Sequence, residues 1–225
     1  MEQAGQVLLI NKPLGWTSFD VVNKLRYRLK TKKVGHAGTL DPLATGLLII
    51  CTGKLTKRID EFQAQEKEYT GKLILGQSTP SHDLETPVSE SQDISNIDEQ
   101  AIHSAVLKFI GTIQQVPPLH SAIKVNGKRA YELARKGKEA ELKPREITIR
   151  EFEITSIDKP SVTFRVVCSK GTYIRSLVRD FGLALGTVAY LAELCRTRIG
   201  EFKLTNALTI DQLPELPLPT NENLP

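Results

Sequence analysis

One carboxylate stands out by its setting. Asp41 lies in Gly35-His36-Ala37-Gly38-Thr39-Leu40-Asp41-Pro42-Leu43-Ala44-Thr45-Gly46-Leu47-Leu48, a stretch with three glycines, one proline, one imidazole and two threonines. Glycine and proline at that density oppose continuous helix and favour an irregular, stiff loop. A carboxylate held in such a loop beside a core strand can serve as a nucleophile. The same residue can also do no more than close a turn, since Pro42 biases it toward extended backbone. Two other side chains read as structure when taken alone. Tyr69 starts a strand and suits packing, and Arg175 lies off the apolar stripe of its helix, where surface arginines belong.

The elements around this loop must hold it. Val7-Leu8-Leu9-Ile10 reads as a strand that ends in the turn residues Asn11 to Gly15. Thr17 or Ser18 then caps a helix whose apolar stripe is Phe19, Val22, Leu25 and Leu29. Its other face carries Lys24, Arg26, Arg28 and Lys30, extended by Lys32 and Lys33, with no acid between Asp20 and Asp41. That pattern suits a phosphate-facing surface. Leu47 to Cys51 reads as a buried strand, 54–62 as a short helix, 69–76 as a strand and 98–110 as a helix ended by Gly111. Residues 112–145 hold eight lysines and arginines against three glutamates, and read as an anion-seeking flap. Strands follow at 147–149, 152–157 and 162–168. Gly171 then turns the chain, and Thr172 caps a helix with the stripe Ile174, Leu177, Phe181 and Leu185. A further helix is expected at 187–195, and a proline-rich, disordered tail over 213–225.

Composition narrows the classes. The 225 residues are 40% hydrophobic and 25% charged with a net charge of +4, ordinary for a globular chain with a modest leaning toward anionic partners. Cys51, Cys168 and Cys195 form no CxxC pair, and the four histidines lack ligand spacing, so neither a disulfide framework nor a structural zinc is expected. There is no signal-peptide pattern at Met1 and no apolar run long enough for a bilayer, which points to a cytoplasmic protein with no membrane partner.

Five motifs in order resemble the TruB family, the tRNA pseudouridine-55 synthases. They are Lys12-Pro13-Leu14-Gly15-Trp16-Thr17-Ser18, the Asp41 loop, Thr79-Pro80-Ser81-His82-Asp83, Cys168-Ser169-Lys170-Gly171-Thr172-Tyr173-Ile174-Arg175, and Leu194-Cys195-Arg196-Thr197-Arg198-Ile199-Gly200-Glu201-Phe202. Two positions depart from the family pattern: Pro80 replaces an aspartate and Cys195 an arginine. The resemblance implies an α+β pseudouridine synthase fold, with a mixed, largely antiparallel central sheet, flanking helices and an inserted thumb at 112–145. It implies one catalytic domain over 1–212, with no PUA domain after it. Asp41 becomes the catalytic nucleophile, Arg175 its charged partner, and Tyr69 the residue that stacks on the base and assists the proton step at C5. Tyr173 and Leu194 wall the pocket, His36 stacks where the uridine leaves, Asp83 touches the RNA loop and Lys12 braces the active-site loop. The implied substrate is the T-arm stem-loop of tRNA, turned over by a monomer without cofactor or metal. A rival of another class is a non-catalytic RNA-binding or RNA-folding module that uses the same basic surface and has no need of Asp41. Phosphoryl transfer fits worse, because neither GxxxxGK[ST] nor GxGxxG is present.

Overall fold

The computed structural model describes residues 5–119, 121, 124–125, 128–129 and 142–213. The chain forms two compact units. The first comprises Met1–Tyr69 with Leu194–Pro225, and the second is Thr70–Glu193.

In the first unit, strand β1 (Val7–Lys12) leads through a turn into helix α1 (Ser18–Arg28), then β2 (Val34–His36), β3 (Ala44–Thr52), a 3-10 turn over Gly53–Arg58 and α2 (Ile59–Ala64). A capping box starts α1: the Thr17 hydroxyl accepts from the Asp20 N–H at 3.0 Å, and Asp20 accepts from the Thr17 N–H at 2.8 Å. The buried stripe of α1 is Val21, Val22, Leu25 and Leu29. Phe19, expected in that stripe, is 55% exposed, because Val21 takes the inward position two residues on. β1 and β2 both pair antiparallel with β3. β3 is buried on both faces. Leu48 and Ile50 pack with Ile10 and the α1 stripe, whereas Leu47, Ile49 and Cys51 pack with Val7, Phe62 and Ile199. Each such aliphatic side chain contributes about 1.5–3 kcal/mol of burial. Leu213, placed in the expected tail, is buried in the same core, and the rest of that tail lies outside the described residues.

The chain enters the second unit within β4 (Lys67–Leu75). It continues through β5 (Gln77–Ser78), β6 (Glu90–Ser91), α3 (Glu99–Val106), β7 (Gly111–Gln115), a small hairpin of β8 (Lys124–Val125) and β9 (Lys128–Arg129), β10 (Arg145–Asp158), β11 (Ser161–Cys168) and α4 (Ile174–Ala184). The strand order is β4-β11-β10-β7, with β10 antiparallel to both β7 and β11. Phe152 packs edge-on against Phe164 and Phe181 with ring centroids 5.9 and 5.5 Å apart, tying α4 to the sheet. The basic segment at 112–145 therefore opens as a sheet strand and ends at the start of β10. Half of the expected thumb, including 130–141, lies outside the described residues.

Two expectations near α4 are corrected. The helix N-cap is Tyr173, whose N–H is taken by the Gln115 side chain at 2.8 Å, while the Thr172 hydroxyl turns back to the Ser169 carbonyl at 2.9 Å. The helix expected at 187–195 is instead strand β12 (Ala189–Ile199). Gly186, at φ +75, ends α4 in the left-handed region, and the chain leaves it extended. β12 returns to the first unit before Leu194 and runs parallel to β3, with Leu194 opposite Ala44 and Arg196 opposite Gly46; β13 (Phe202–Lys203) then folds back on it. The result is the expected α+β architecture with a mixed, largely antiparallel sheet.

Candidate active site

The Asp41 loop is tied down residue by residue within the first unit. Gly38 and Thr39 give their carbonyls to the Arg196 guanidinium, from Nη2 at 3.1 Å and from Nη1 at 3.3 Å. Leu40 is held on both sides of its peptide by the buried Ser18 hydroxyl, which accepts from its N–H at 2.9 Å and donates to its carbonyl at 3.2 Å. The Asp41 carbonyl accepts from the Ala44 N–H at 3.0 Å, and the Pro42 carbonyl from the Gly15 N–H at 2.9 Å. A loop with its peptide groups satisfied in this way holds one conformation, so its lone carboxylate is presented without further ordering cost.

Two buried cations, Arg196 and Lys12, hold the loop. Lys12 is fully buried, and its ammonium donates to the carbonyls of Trp16 at 2.6 Å, Pro13 at 3.0 Å and Pro42 at 3.4 Å. The brace expected of Lys12 is therefore made through backbone carbonyls on both sides of the turn. Burial pushes its amine down to about 8, with the Asp41 charge opposing that shift and Arg196 adding to it. His36, half-buried at the end of β2, is held below its ordinary value first by burial and then by the Arg196 cation, against a hydrogen bond with Gly38. A neutral imidazole results at neutral pH, and its flat face suits stacking. Tyr69, in β4, is buried, and Leu194, in β12, is half-buried. Side chains alternate along a strand, so Leu194 shares the face of β12 from which Arg196 reaches the loop.

The other three candidates lie in the second unit. Tyr173, half-exposed at the start of α4, has its backbone N–H and carbonyl both bonded to the Gln115 amide. Arg175 is buried, not a surface residue. Its Nη1 lies 3.4 Å from Asp83 Oδ2 and 3.3 Å from the Ser81 carbonyl. Asp83 is also buried, and its Oδ1 accepts from the Glu85 N–H at 2.9 Å. Thr79 and Ser81 close this loop by donating to the Asp83 carbonyl at 2.6 and 3.2 Å. Pro80 points to solvent, so replacing the family's aspartate there removes no buried partner.

Sequence reasoning missed Arg196, which is 1% exposed. The signal was present: read as a strand, Leu194 and Arg196 share a face. It also overcounted the free cations of α1. Arg28 donates to the carbonyls of Ile210 and Leu213 at 3.1 and 2.6 Å, and Arg26 to that of Val34 at 3.2 Å, leaving Lys24, Lys30, Lys32 and Lys33 exposed. Among the described residues no group of histidines, cysteines and carboxylates is placed to hold a metal ion, and no helix is long and apolar enough to cross a membrane.

The chain is similar to known proteins over most of its length. Residues 26–174 match the family model of the N-terminal domain of TruB family pseudouridylate synthases, and 175–223 that of the tRNA pseudouridylate synthase B C-terminal domain. The tRNA pseudouridine synthase B of Parabacteroides distasonis is 55% identical, with 94% of this chain and 93% of that protein covered. The enzyme of the same name from Flavobacterium johnsoniae is also 55% identical, covering 94% and 95%. Among solved structures, a chain of a Cbf5-Nop10-Gar1 complex is 32% identical with a TM-score of 0.71 over 91% of this chain. A chain of an H/ACA RNP bound to a substrate RNA containing 2'-deoxyuridine is 30% identical with a TM-score of 0.68. This chain spans about half the length of those two solved chains, 53% and 51%. Two adjoining family models, relatives matched over nearly their whole length and a loop built around one carboxylate converge: the chain belongs to the TruB family of pseudouridylate synthases.

Proposed function

We propose that this chain isomerises a uridine of tRNA, the position-55 uridine of the T loop, to pseudouridine, with the T-arm stem-loop as its recognition element. The observation that carries the reading is the Asp41 loop, which bears one carboxylate and whose carbonyls from Gly38 to Pro42 are all engaged, three of them by the buried cations Lys12 and Arg196. The near full-length relatives named tRNA pseudouridine synthase B support the choice of substrate.

In this reaction the N1–C1′ bond breaks and a C1′–C5 bond forms. C5 gives up a proton and N1 takes one, so atoms balance without a redox partner, phosphate donor or net water. The Asp41 carboxylate adds either to C1′ or to C6 and leaves again when the new bond is made. Water must be kept out, because a detached base or glycosyl ester would hydrolyse. Tyr69, Tyr173 and Leu194 supply the stacking and apolar walls for that purpose, and Tyr69 also assists the proton step. Arg175, held in its own unit by Asp83, favours the ionised nucleophile. The uridine reacts only when flipped out of its stack, at a cost of a few kcal/mol, and the neutral His36 ring fills the place it leaves. Exposed Lys24, Lys30, Lys32 and Lys33 add phosphate contacts that weaken with salt. The proposed enzyme is a cytoplasmic monomer with a single catalytic domain over 1–212.

The test is to incubate the protein with unmodified tRNA and with an isolated T-arm hairpin, with and without EDTA, and to map pseudouridine by position. The reading expects modification at the T-loop uridine of both RNAs, unaffected by EDTA. Binding without modification of either RNA would favour the non-catalytic module instead.

A further inference from the structure

We propose that Arg196 is a positioning residue of the reaction: its guanidinium fixes the Asp41 loop through the carbonyls of Gly38 and Thr39 and ties it to β3. This rests on Asp41 being the nucleophile. Arg196 is 1% exposed, and its acceptors are three carbonyl oxygens, since Nε also donates to Leu47 at 2.8 Å. The three acceptors belong to two structures, the loop and β3. One planar fork thereby sets the spacing between the loop and the strand that follows it.

A merely structural clamp would not need a charge. Carbonyl oxygens are satisfied by neutral amide donors, whereas burying a cation costs several kcal/mol per ion. That cost is usually offset by a carboxylate, as Asp83 does for Arg175. For Arg196 the field instead acts on its surroundings: it lowers the proton affinity of both Lys12 and His36, and Asp41 is the carboxylate whose charge reaches Lys12 most strongly. Lys12 thus feels both the Asp41 charge and the Arg196 charge. The backbone of β3 has been shaped to admit the arginine strand. Gly46 has φ +103, and a Cβ there would lie 2.4 Å from the Arg196 carbonyl oxygen and 2.7 Å from its nitrogen. Lysine could keep the charge but could not reproduce the planar fork that spans the loop and β3 here.

The test compares wild type with Arg196→Lys, Arg196→Gln and Asp41→Asn on a T-arm hairpin. It reads kcat, RNA affinity and thermal melting. Arg196→Gln should lower kcat by ~100-fold, as expected for a displaced nucleophile, with RNA affinity within about three-fold of wild type. Arg196→Lys, which keeps the charge but not the planar fork, should also lose kcat at unchanged RNA affinity, a split between turnover and binding that simple loosening of the fold would not produce. A folded Arg196→Gln with wild-type kcat overturns the proposal, as does activity that falls only in proportion to the folded fraction. If the glutamine variant does not fold, the lysine variant decides: wild-type kcat overturns the role, and reduced kcat at unchanged affinity supports it. Full activity in Asp41→Asn would strike down the nucleophile assignment itself, whereas an inactive Asp41→Asn beside an unimpaired Arg196→Gln would strike down only the role of Arg196.

Discussion

The first unit buries its cations against backbone carbonyls, and the second buries one against a carboxylate. Lys12 and Arg196 donate to carbonyls of the turn, the Asp41 loop and β3. Arg175 is paired with Asp83 inside its own unit, with the Ser81 carbonyl as a further acceptor. The contrast separates two ways to bury an arginine in one protein: against carbonyl dipoles that fix a loop, and against an opposite charge.

Breaking the pair in the second unit should have the largest effect on stability. Asp83→Asn keeps the shape and the contact with the Glu85 N–H but takes the Asp83 charge away from buried Arg175, which costs about 3–5 kcal/mol. Chemical denaturation followed by far-UV circular dichroism measures this. A loss no larger than a surface substitution would show that the 3.4 Å pair is not a buried ion pair in solution.

Lys12 sharpens the contrast through pH. Folded Lys12 titrates near 8, while the unfolded side chain holds its proton to about 10.5. Below pH 8 the amine is charged in both states, and the burial cost is carried in full. Between about 8 and 10.5 the folded protein has released a proton that the unfolded chain still binds, so the Lys12 contribution makes stability rise with pH, by at most about 3 kcal/mol. Activity should run the other way over the same window, because the Asp41 loop loses a flanking cation. Lys12→Met should abolish both trends, and parallel melting and rate profiles of the two proteins check it.

Pro80→Asp restores the acid of the family pattern at a solvent-facing position. Stability should stay within about 0.5 kcal/mol of wild type. A marked gain in activity on the T-arm hairpin would show that this surface, unlike the buried pair next to it, takes part in RNA handling.

Much of this was legible in the chain. The Asp41 loop announced itself by glycine density, and β1, β3, β10 and β11 by apolar runs or alternation. β12 was not, because Ala189-Tyr190-Leu191-Ala192-Glu193-Leu194 is rich in helix formers, and pairing with β3 overrides that preference. Reading it as helix hid Arg196, since only a strand puts it on the face of Leu194. The Arg175–Asp83 pair was hidden for another reason. Nothing local in either segment announces a contact between residues so far apart in sequence, and an arginine off an apolar stripe reads as solvent-facing until the fold closes over it. Phe19 shows the limit of periodicity, since Phe19 and Val21 both border the stripe and only packing chose between them.

The central claim is that Asp41 is the nucleophile of uridine isomerisation, and tritium release from C5-labelled uridine in a T-arm RNA tests it most directly. Asparagine preserves the size of the side chain and its turn-forming hydrogen bonds, but its amide is a very poor nucleophile. Asp41→Asn should therefore release no tritium above background while binding the same RNA within a few-fold of wild type. Release at the wild-type rate would contradict the account.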